Sequence, residues 1–430
     1  MKVPATVLPY RWTVLLCILA GVYAIAVMTY IFIETQSAEG ARDFHQFWYA
    51  GQFMIQGRDP YEAFFAGEQP ALPIAYWDGV VLERYPVAQP YLEITPSNTP
   101  AMLLLLSPLA TLSWANAKLA FLCINILLML LTAILIVRRI PFADVKLAPI
   151  DELFIFLIYI DLSATRIAVE NGQTTLLVFL LMLVAVLHAE RDWRISGLAL
   201  GLALSKYSLS LPIFLFLLLK KKFRILLFAV GVQLLGILGI AAITGTSPLT
   251  IVLENIQLFV RLFDQPGIHL SRWFEGVSNN VLVSMLPVLM MTLAVFIPMY
   301  FWFRARPNLS NMQDVIDFHL LTILFLWTML VAYHRLYDTL ILIVFVVLIY
   351  KGLSMPSLWS LSGGQRRILL GSVAILPFIL IVPARLVDRF LPGFYGAVGD
   401  LIITIFLLLM LGLSMFLLGR IMRNTDASTH

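Results

Sequence analysis

Charged side chains are scarce in this chain: Asp, Glu, Lys and Arg together make up 13% of the 430 residues, where a soluble domain has roughly 25%. Apolar residues make up 60%, against about 45 to 50% in soluble proteins. They cluster in runs of about 20 residues, the length that a helix needs to cross a hydrocarbon core of about 30 Å. The composition therefore excludes a soluble fold and predicts an all-α polytopic membrane protein.

Several familiar signatures are also missing. The sequence has no Walker loop, no GxGxxG motif and no HExxH motif, and its two cysteines, Cys17 and Cys123, lie inside apolar runs. We therefore predict no cofactor and no metal site. The net charge of +4 does not indicate nucleic acid, because the basic residues stand in small groups at the ends of apolar runs, which is a pattern of membrane orientation. A transferase without a nucleotide cradle must draw on a donor that is already in the membrane.

The apolar runs predict about ten membrane crossings. The predicted helices are Trp12–Ile33, Ala101–Val137, Leu153–Ala168, Thr174–Ala189, Phe223–Ile243, Val277–Phe303, Phe318–Ala332, Thr339–Tyr350, Ile368–Ala384 and Ala397–Gly419. The second of these is too long for one helix and contains Pro108, so it is interpreted as one net crossing with a broken first part. We expect residues 1–430 to form a single membrane-embedded domain, with a disordered cytoplasmic tail at residues 424–430.

The run Ile195–Leu219 is a special case, because Lys206 interrupts it and a basic cluster stands at each end. If both clusters are cytoplasmic, the run is a re-entrant pair of half-helices that enters and leaves by the same face. With the N-terminus inside, the basic clusters fall in cytoplasmic segments, as the positive-inside rule requires.

This orientation places four polar segments together on the extracytoplasmic face: residues 34–100, 170–173, 244–276 and 333–338. The first external loop, residues 34–100, has apolar residues on one helical face, namely Phe44, Phe47, Trp48, Gly51 and Met54 or Ile55. That spacing predicts interfacial helices within the loop.

The strongest local motif is ARDFHQFWYAG, directly after the first helix. Asp43 stands close to the membrane, where partial desolvation raises the pKa of a carboxyl group and makes it a better base. The alternative is that Asp43 caps the helix that follows, since Asp is a favoured N-cap residue.

The segment YHRLYD brings a histidine and an arginine together between two apolar runs. Arg335 can clamp a phosphate with two parallel hydrogen bonds, and His334 can move protons near neutral pH. The alternative is a plain connecting turn with snorkelling side chains.

The segment ENGQTT supplies Asn171 and Gln173, whose amides suit sugar hydroxyls, although a simple polar turn explains it as well. Lys206 is costly at membrane depth, so it is predicted to face a cavity, with snorkelling as the rival explanation.

These residues, together with GRDPY and NTPAMLLLLSPLA, resemble the membrane-embedded C-type (GT-C) glycosyltransferases from about Trp12 to Tyr350. The resemblance is in particular to glycosyltransferase family 87, which includes polyprenol-phosphate-mannose-dependent α-mannosyltransferases. The chain departs from the pattern by carrying one acidic residue, Asp43, between Arg42 and Phe44, where a double-acidic pair would suit a metal-bound version.

The resemblance implies transfer of a hexosyl group, mannosyl in particular, from a polyprenyl-phosphate donor to an extracytoplasmic glycan or glycolipid acceptor. The expected setting is the plasma membrane, with membrane lipids and no nucleic acid as partners. The alternative function is a lipid-linked sugar flippase or transporter. Asp43 and His334 become the catalytic candidates. The donor phosphate is assigned to Arg335, Tyr337, Lys206 and Arg42, and the sugar or acceptor to Asn171, Gln173, Asp338 and Tyr61.

Overall fold

The computed structural model describes residues 9–37, 40–66, 96, 98–139, 147–262, 270, 281–305, 313–332, 334–354, 359–367, 369, 371 and 400–427. Helices dominate these residues, and no strand occurs among them. Eight described helical segments, two of which (residues 193–219 and 336–353) join consecutive elements, are long and apolar enough to cross a membrane, or nine if one bent pair counts as a span. The predicted all-α polytopic architecture is confirmed.

The described residues form sixteen α-helices. They are α1 (Tyr10–Gln36), α2 (Arg42–Ile55), α3 (Pro60–Phe65), α4 (Pro100–Leu106), α5 (Trp114–Arg139), α6 (Pro149–Asp161), α7 (Ser163–Glu170), α8 (Thr175–His188), α9 (Trp193–Ala203), α10 (Tyr207–Leu219), α11 (Phe223–Thr244), α12 (Pro248–Leu262), α13 (Val281–Ala305), α14 (Gln313–Val331), α15 (Ile343–Leu353) and α16 (Asp400–Ala427). Two 3₁₀ segments, Ser107–Thr111 and Leu336–Leu342, lead into α5 and α15.

The long apolar run from residue 101 to residue 137 is broken, as its proline predicted. Helix α4 and the 3₁₀ turn around Pro108 end before α5 begins at Trp114. Helix α4 packs closely on α11, since a Cβ atom added at Gly236 would lie 2.4 Å from the Cα of Ala101. Only α5 is long enough to cross, so the run makes one net crossing.

Helices α9 and α10 form the re-entrant pair. Residues 193–219 are long and apolar enough to cross as one helix, and a straight helix of 27 residues would hold its ends about 40 Å apart. Yet Lys220 Nζ lies 2.7 Å from Glu190 Oε1, and Lys222 also pairs with Glu190. The two ends therefore meet, which a straight helix of this length does not allow. The turn falls at Lys206, where the backbone leaves helical geometry (φ −117°, ψ 72°).

The lengths of α8, α9 and α10 place Lys206 within the thickness of the membrane. We call the end of the bundle with Glu190 and Lys220 the base. Helices α8, α9 and α10 have 14, 11 and 13 residues, so each extends only about 17 to 21 Å from the base. A hydrocarbon core is about 30 Å thick. The start of α8 and the turn at Lys206 are therefore recessed by roughly 10 Å from the opposite face.

The segment 34–100, which was predicted to hold interfacial helices, contains α2 and α3. Helix α2 is buried over most of its length, including Phe44, Phe47 and Trp48. Trp48 Nε1 donates a hydrogen bond to Leu112 O (3.0 Å), and the Phe44 ring stacks on Phe121 at 4.2 Å. Protein rather than lipid headgroups covers this helix, because α5 and the 3₁₀ turn before it pack against its apolar face.

Some predictions fall outside the described residues. They are the helix Ile368–Ala384 over most of its length, Tyr333, about half of the segment 34–100, most of residues 263–280, and the last residues of the tail.

Candidate functional site

Lys206 is the centre of a buried polar network. Its ammonium nitrogen lies 2.5 Å from Asp338 Oδ1 and donates to Thr175 Oγ1 at 2.6 Å. The Thr175 hydroxyl in turn donates to Asp338 Oδ1 at 3.1 Å. The side chains of Lys206 and Asp338 are 17% and 4% exposed. Snorkelling of Lys206 is therefore wrong: the charge is retained at depth because an opposite charge and a hydroxyl satisfy it.

Asp43, in the first turn of α2, joins the same network. Burial raises the pKa of its carboxyl group, while hydrogen bonds from Gln173 and Asn171 and the positive charges of Arg335 and Lys206 act in the opposite direction. The carboxyl group is thus a hydrogen-bonded, half-buried base between an amide pair and two cations. All four of these neighbours come from other parts of the chain.

The capping interpretation of Asp43 is wrong. The N-cap of α2 is Ala41, in the left-handed conformation (φ 58°), and no side chain caps this helix. The backbone supplies the cap instead: Asn171 O accepts hydrogen bonds from Asp43 N (2.9 Å) and Phe44 N (3.3 Å). Asp43 therefore keeps its side chain available for chemistry while standing in the first turn, where the helix dipole favours a negative charge.

Gly172 fixes the distance between this turn and α2. Its φ of +67° is accessible to glycine without strain, and a Cβ atom here would lie 2.7 Å from the Cβ of Phe44. Helices α7 and α8 meet across this turn at 118°. The sharp turn presents Asn171 and Gln173 to Asp43 on one side and Thr175 to Lys206 on the other.

The segment from His334 to Asp338 closes the network. Arg335 N donates to Asp338 Oδ2 at 3.2 Å, and Asp338 N donates to Arg335 O at 2.9 Å, which fixes a tight turn. The Tyr337 ring lies 4.5 Å from the Lys206 ammonium, a cation–π distance. His334 is fully buried, with Nδ1 3.5 Å from Asp338 Oδ2. It faces Asp338 rather than an open surface.

Tyr61 lies away from the Lys206 network. It is completely buried in a different cluster, where its hydroxyl donates to Asn98 O (2.9 Å) and receives a hydrogen bond from Asn255 Nδ2 (3.2 Å). These contacts connect Tyr61 with the start of α4 and with α12, and none of them reaches Lys206 or Asp43. Arg42 opens α2 beside Asp43 and is half-buried.

Thr175 was not among the predicted site residues, but it belongs to the Lys206 network. Asp338 contacts other groups than the sugar or acceptor to which it was assigned. Sequence analysis assigned Asp338 to the sugar or acceptor, but both of its oxygens are engaged by Lys206, Thr175 and the backbone of Arg335. The only sequence signal for Thr175 was its place in the ENGQTT segment. Pairing between residues 132 positions apart has no local signature.

The arrangement combines a base, two cations and hydrogen-bonding amides in one recess. A base beside fixed positive charge can take a proton from a hydroxyl group while a negative charge develops nearby. No group of three or more His, Cys, Asp or Glu side chains suited to a metal ion occurs in the described part of the chain.

In a comparison with known families, the profile described as Glycosyltransferase family 87 matches residues 97–315. No curated protein and no solved structure matches the chain. The matched segment contains the turn at Asn171 and the Lys206 turn, and the contacts above tie Asp43 and Asp338, which flank it, to these turns. Since the match covers just over half of this chain of membrane helices, the protein belongs to glycosyltransferase family 87.

Proposed function

We propose that the protein transfers a hexosyl group, mannosyl in particular, from a polyprenyl-phosphate donor to a glycan or glycolipid acceptor on the extracytoplasmic side of the plasma membrane. The observation that carries this proposal is the network that places the carboxyl group of Asp43 within the field of Lys206 and Arg335. A glycosyl transfer from a phosphate carrier needs those two functions together, a base for the acceptor and positive charge for the leaving group.

The reaction is a single displacement. A carboxylate oxygen of Asp43 takes the proton of the acceptor hydroxyl, and the acceptor oxygen forms a bond to the anomeric carbon of the donor. The bond from that carbon to the phosphate oxygen breaks, and its electron pair stays with the polyprenyl phosphate. Arg335 and Lys206 stabilise the released charge, and Asn171 and Gln173 hold the carboxylate in position.

The geometry favours Asp43 over His334 as the general base that takes the acceptor proton. His334 is fully buried and contacts Asp338, which itself holds Lys206. A group without access to the acceptor cannot take its proton. We therefore assign His334 a positioning role, in which it helps to hold Asp338 against Lys206.

The depth of the network suits a lipid-linked donor. A recess about 10 Å below the membrane surface lies within reach of a phosphate attached to a polyprenyl chain in the bilayer. A soluble nucleotide sugar would have to bring its charged phosphates into the same depth at a large desolvation cost.

The experiment is a transfer assay on purified protein in lipid, with a panel of polyprenyl-phosphate sugars and with water as the default acceptor. We expect the parent to cleave at least one donor, and Asp43→Asn to lower turnover by about 100-fold or more, as lost general-base catalysis predicts. Glu190→Gln is the matched control, because it makes the same carboxyl-to-amide change at the other end of the bundle. This variant should turn over like the parent. If no donor is cleaved or transferred, or if Asp43→Asn stays fully active, the proposal fails.

The side of the membrane has its own test. Topology reporters fused after Asn98 and Tyr337 should read as external, and reporters after Lys222 and Arg306 as cytoplasmic. Cytoplasmic signals at both Asn98 and Tyr337 would contradict an extracytoplasmic site.

A further inference from the structure

A pair of aromatic rings extends from the Lys206 turn toward helix α12. Tyr207 directly follows Lys206 and is 42% exposed. Its ring meets the ring of Phe259 edge to face, with centroids 4.8 Å apart. Phe259 is half-buried and lies on α12, one helical turn beyond Asn255. The two rings therefore connect the candidate active site with the polar cluster around Tyr61.

That cluster gathers acidic groups and amides between α3 and α12. Asn255 Nδ2 lies 3.2 Å from Tyr61 Oη and 3.4 Å from Asn98 O. Burial raises the pKa of Glu254 to about 7, with the negative charges of Asp59 and Glu62 adding to the shift. The carboxyl groups of Asp59 and Glu254 thus lie close to each other and to the tyrosine.

Asp59 points to a ligand in this cluster. It is 3% exposed, and one carboxylate oxygen caps α3 by accepting from Tyr61 N at 2.8 Å. Its other oxygen, Oδ2, is buried and has no hydrogen-bond partner among the described residues, and the same holds for Glu254 Oε2. Buried polar atoms in folded proteins are nearly always hydrogen-bonded, so two unpartnered carboxylate oxygens side by side indicate that donors from outside the chain complete the site.

We propose that Tyr207, Phe259, Asn255, Glu254 and Asp59 form an acceptor subsite for a glycan chain with at least one sugar unit beyond the one that receives the transferred sugar. The inference rests on the proposed transferase function, which it deepens by naming the acceptor class. It assigns the acceptor an extended binding path, from the Lys206 turn over the two rings to the carboxyl groups.

The chemistry of this path fits a carbohydrate. Sugar hydroxyls are donors that can pair with the free oxygens of Asp59 and Glu254, and an amide such as that of Asn255 can both donate and accept. Aromatic rings supply the apolar contact that the C–H faces of a sugar ring need. A simple lipid alcohol would have no groups for the carboxyl cluster, whereas a glycan has a hydroxyl at nearly every position.

The test measures binding of methyl-capped gluco-, manno- and galacto-oligosaccharides, from single sugars to tetrasaccharides, to the full chain in lipid discs. Binding to the parent should strengthen with length in at least one series. Phe259→Leu should weaken binding of the longer members about 3- to 10-fold, the scale of a lost aromatic contact. Glu254→Gln should weaken it about 10-fold or more, as expected for a lost hydrogen bond to a charged group.

Two controls make the result specific. Phe228→Leu removes one ring of a similar edge-to-face pair, in which the centroids of Phe228 and Trp193 are 5.6 Å apart. This pair lies toward the Glu190 end of the bundle, so the variant should bind every probe like the parent. The rate of donor cleavage with water should be the same in the parent and in both subsite variants, which also shows that the variants are folded.

The outcomes separate the two proposals. Absence of binding to every probe, no dependence on glycan length, or parent-like binding by both Phe259→Leu and Glu254→Gln overturns the subsite, as does calcium binding that depends on Glu254 without glycan binding. A parent that cleaves no donor overturns the proposed transferase instead, because glycan binding is measured without the donor.

Discussion

The re-entrant pair α9–α10 carries one lysine–carboxylate cluster at its turn and another at the base, where its two ends meet, and the two clusters differ in the exposure of the carboxyl group that the lysines contact. At the turn, Lys206 (17% exposed) pairs with Asp338 (4% exposed). At the base, Lys220 (8% exposed) and Lys222 (30% exposed) pair with Glu190, whose side chain is 57% exposed, and Lys220 also reaches Asp317 Oδ2 at 3.0 Å. The same residue type therefore serves two purposes within 20 residues of chain.

The difference shows which charges have a functional explanation. An exposed ion pair costs little to form and contributes about 0 to 1 kcal/mol. A buried pair must offset the large desolvation cost of both groups, and apolar residues of similar size would often be as stable there. The base cluster is explained by closing the two half-helices at the membrane surface. The turn cluster is explained by chemistry that needs a positive charge at depth.

The largest expected difference between the clusters is in stability. Asp338→Ala leaves Lys206 buried without its counter-charge and should lower the free energy of unfolding by about 3 to 5 kcal/mol. Glu190→Ala should lower it by about 1 kcal/mol or less, because Glu190 is exposed and Lys220 keeps its ion pair with Asp317. Equilibrium unfolding in mixed detergent and SDS micelles measures both. Equal losses would show that burial does not separate the two clusters.

The next effect is on turnover. Lys206→Met keeps the length of the side chain and removes the charge that is proposed to stabilise the leaving phosphate. We expect donor cleavage to fall about 100- to 1,000-fold, the usual result of removing one group that stabilises transition-state charge. Lys220→Met, the same change at the Glu190 end of the bundle, should leave the rate per folded molecule unchanged. A similar fall in both variants would mean that the pair acts only through folding.

A smaller effect is expected at the turn that holds Asp43. Gly172→Ala forces a left-handed alanine, at about 1 to 2 kcal/mol, and drives its Cβ atom into Phe44. Gly245→Ala is the matched control, since Gly245 also has a positive φ (74°) but no neighbour within 4 Å. Both variants should be less stable, but only Gly172→Ala should lose turnover, because it alone moves Asn171 and Gln173 away from Asp43. Unchanged turnover in Gly172→Ala would separate this turn from the site.

The smallest effect is the pH dependence of stability that the Glu190 cluster contributes. Partial burial alone would raise the pKa of Glu190, but hydrogen bonds and charge from Lys220 and Lys222 outweigh it and lower the pKa to about 2. A lowered carboxyl pKa stabilises the fold above the ordinary value of about 4.3, and the contribution is lost as the pH falls from about 5 toward 2. Because Glu190 is exposed, we expect at most about 1 kcal/mol. The dependence should be weaker in Glu190→Gln, measured by thermal unfolding between pH 6 and pH 3.

The sequence was sufficient to predict most of the long described helices and the re-entrant pair, because hydrophobic run length and the basic clusters at its ends are local signals. It did not predict the break at Leu162, which divides the predicted helix Leu153–Ala168 between α6 and α7. The sequence also singled out Asp43, Asn171, Gln173, Lys206 and Arg335, all of which the structure brings together. Each is a polar residue at or near membrane depth, where such residues are rare and conspicuous.

The partners of these residues could not be predicted in the same way. Asp338 was read as a sugar-binding group because the sequence cannot show that Lys206, 132 positions away, occupies it. Helix α2 was expected at the lipid interface, since an amphipathic pattern has the same appearance whether lipid or protein covers its apolar face. Tyr61 was assigned to the sugar or acceptor after the family resemblance, whereas its hydroxyl lies in the cluster with Asn255. In each case a tertiary contact decided the outcome.

The most direct test of the account is a structure of the protein in lipid with an uncleavable polyprenyl-phosphonate sugar, in which a CH₂ group replaces the bridging oxygen. The account predicts that the phosphonate lies within hydrogen-bond distance of the side chains of Arg335 and Lys206, with the anomeric carbon facing the carboxyl group of Asp43. A phosphonate bound away from both cations, or bound with Asp43 remote from the anomeric carbon, would contradict it.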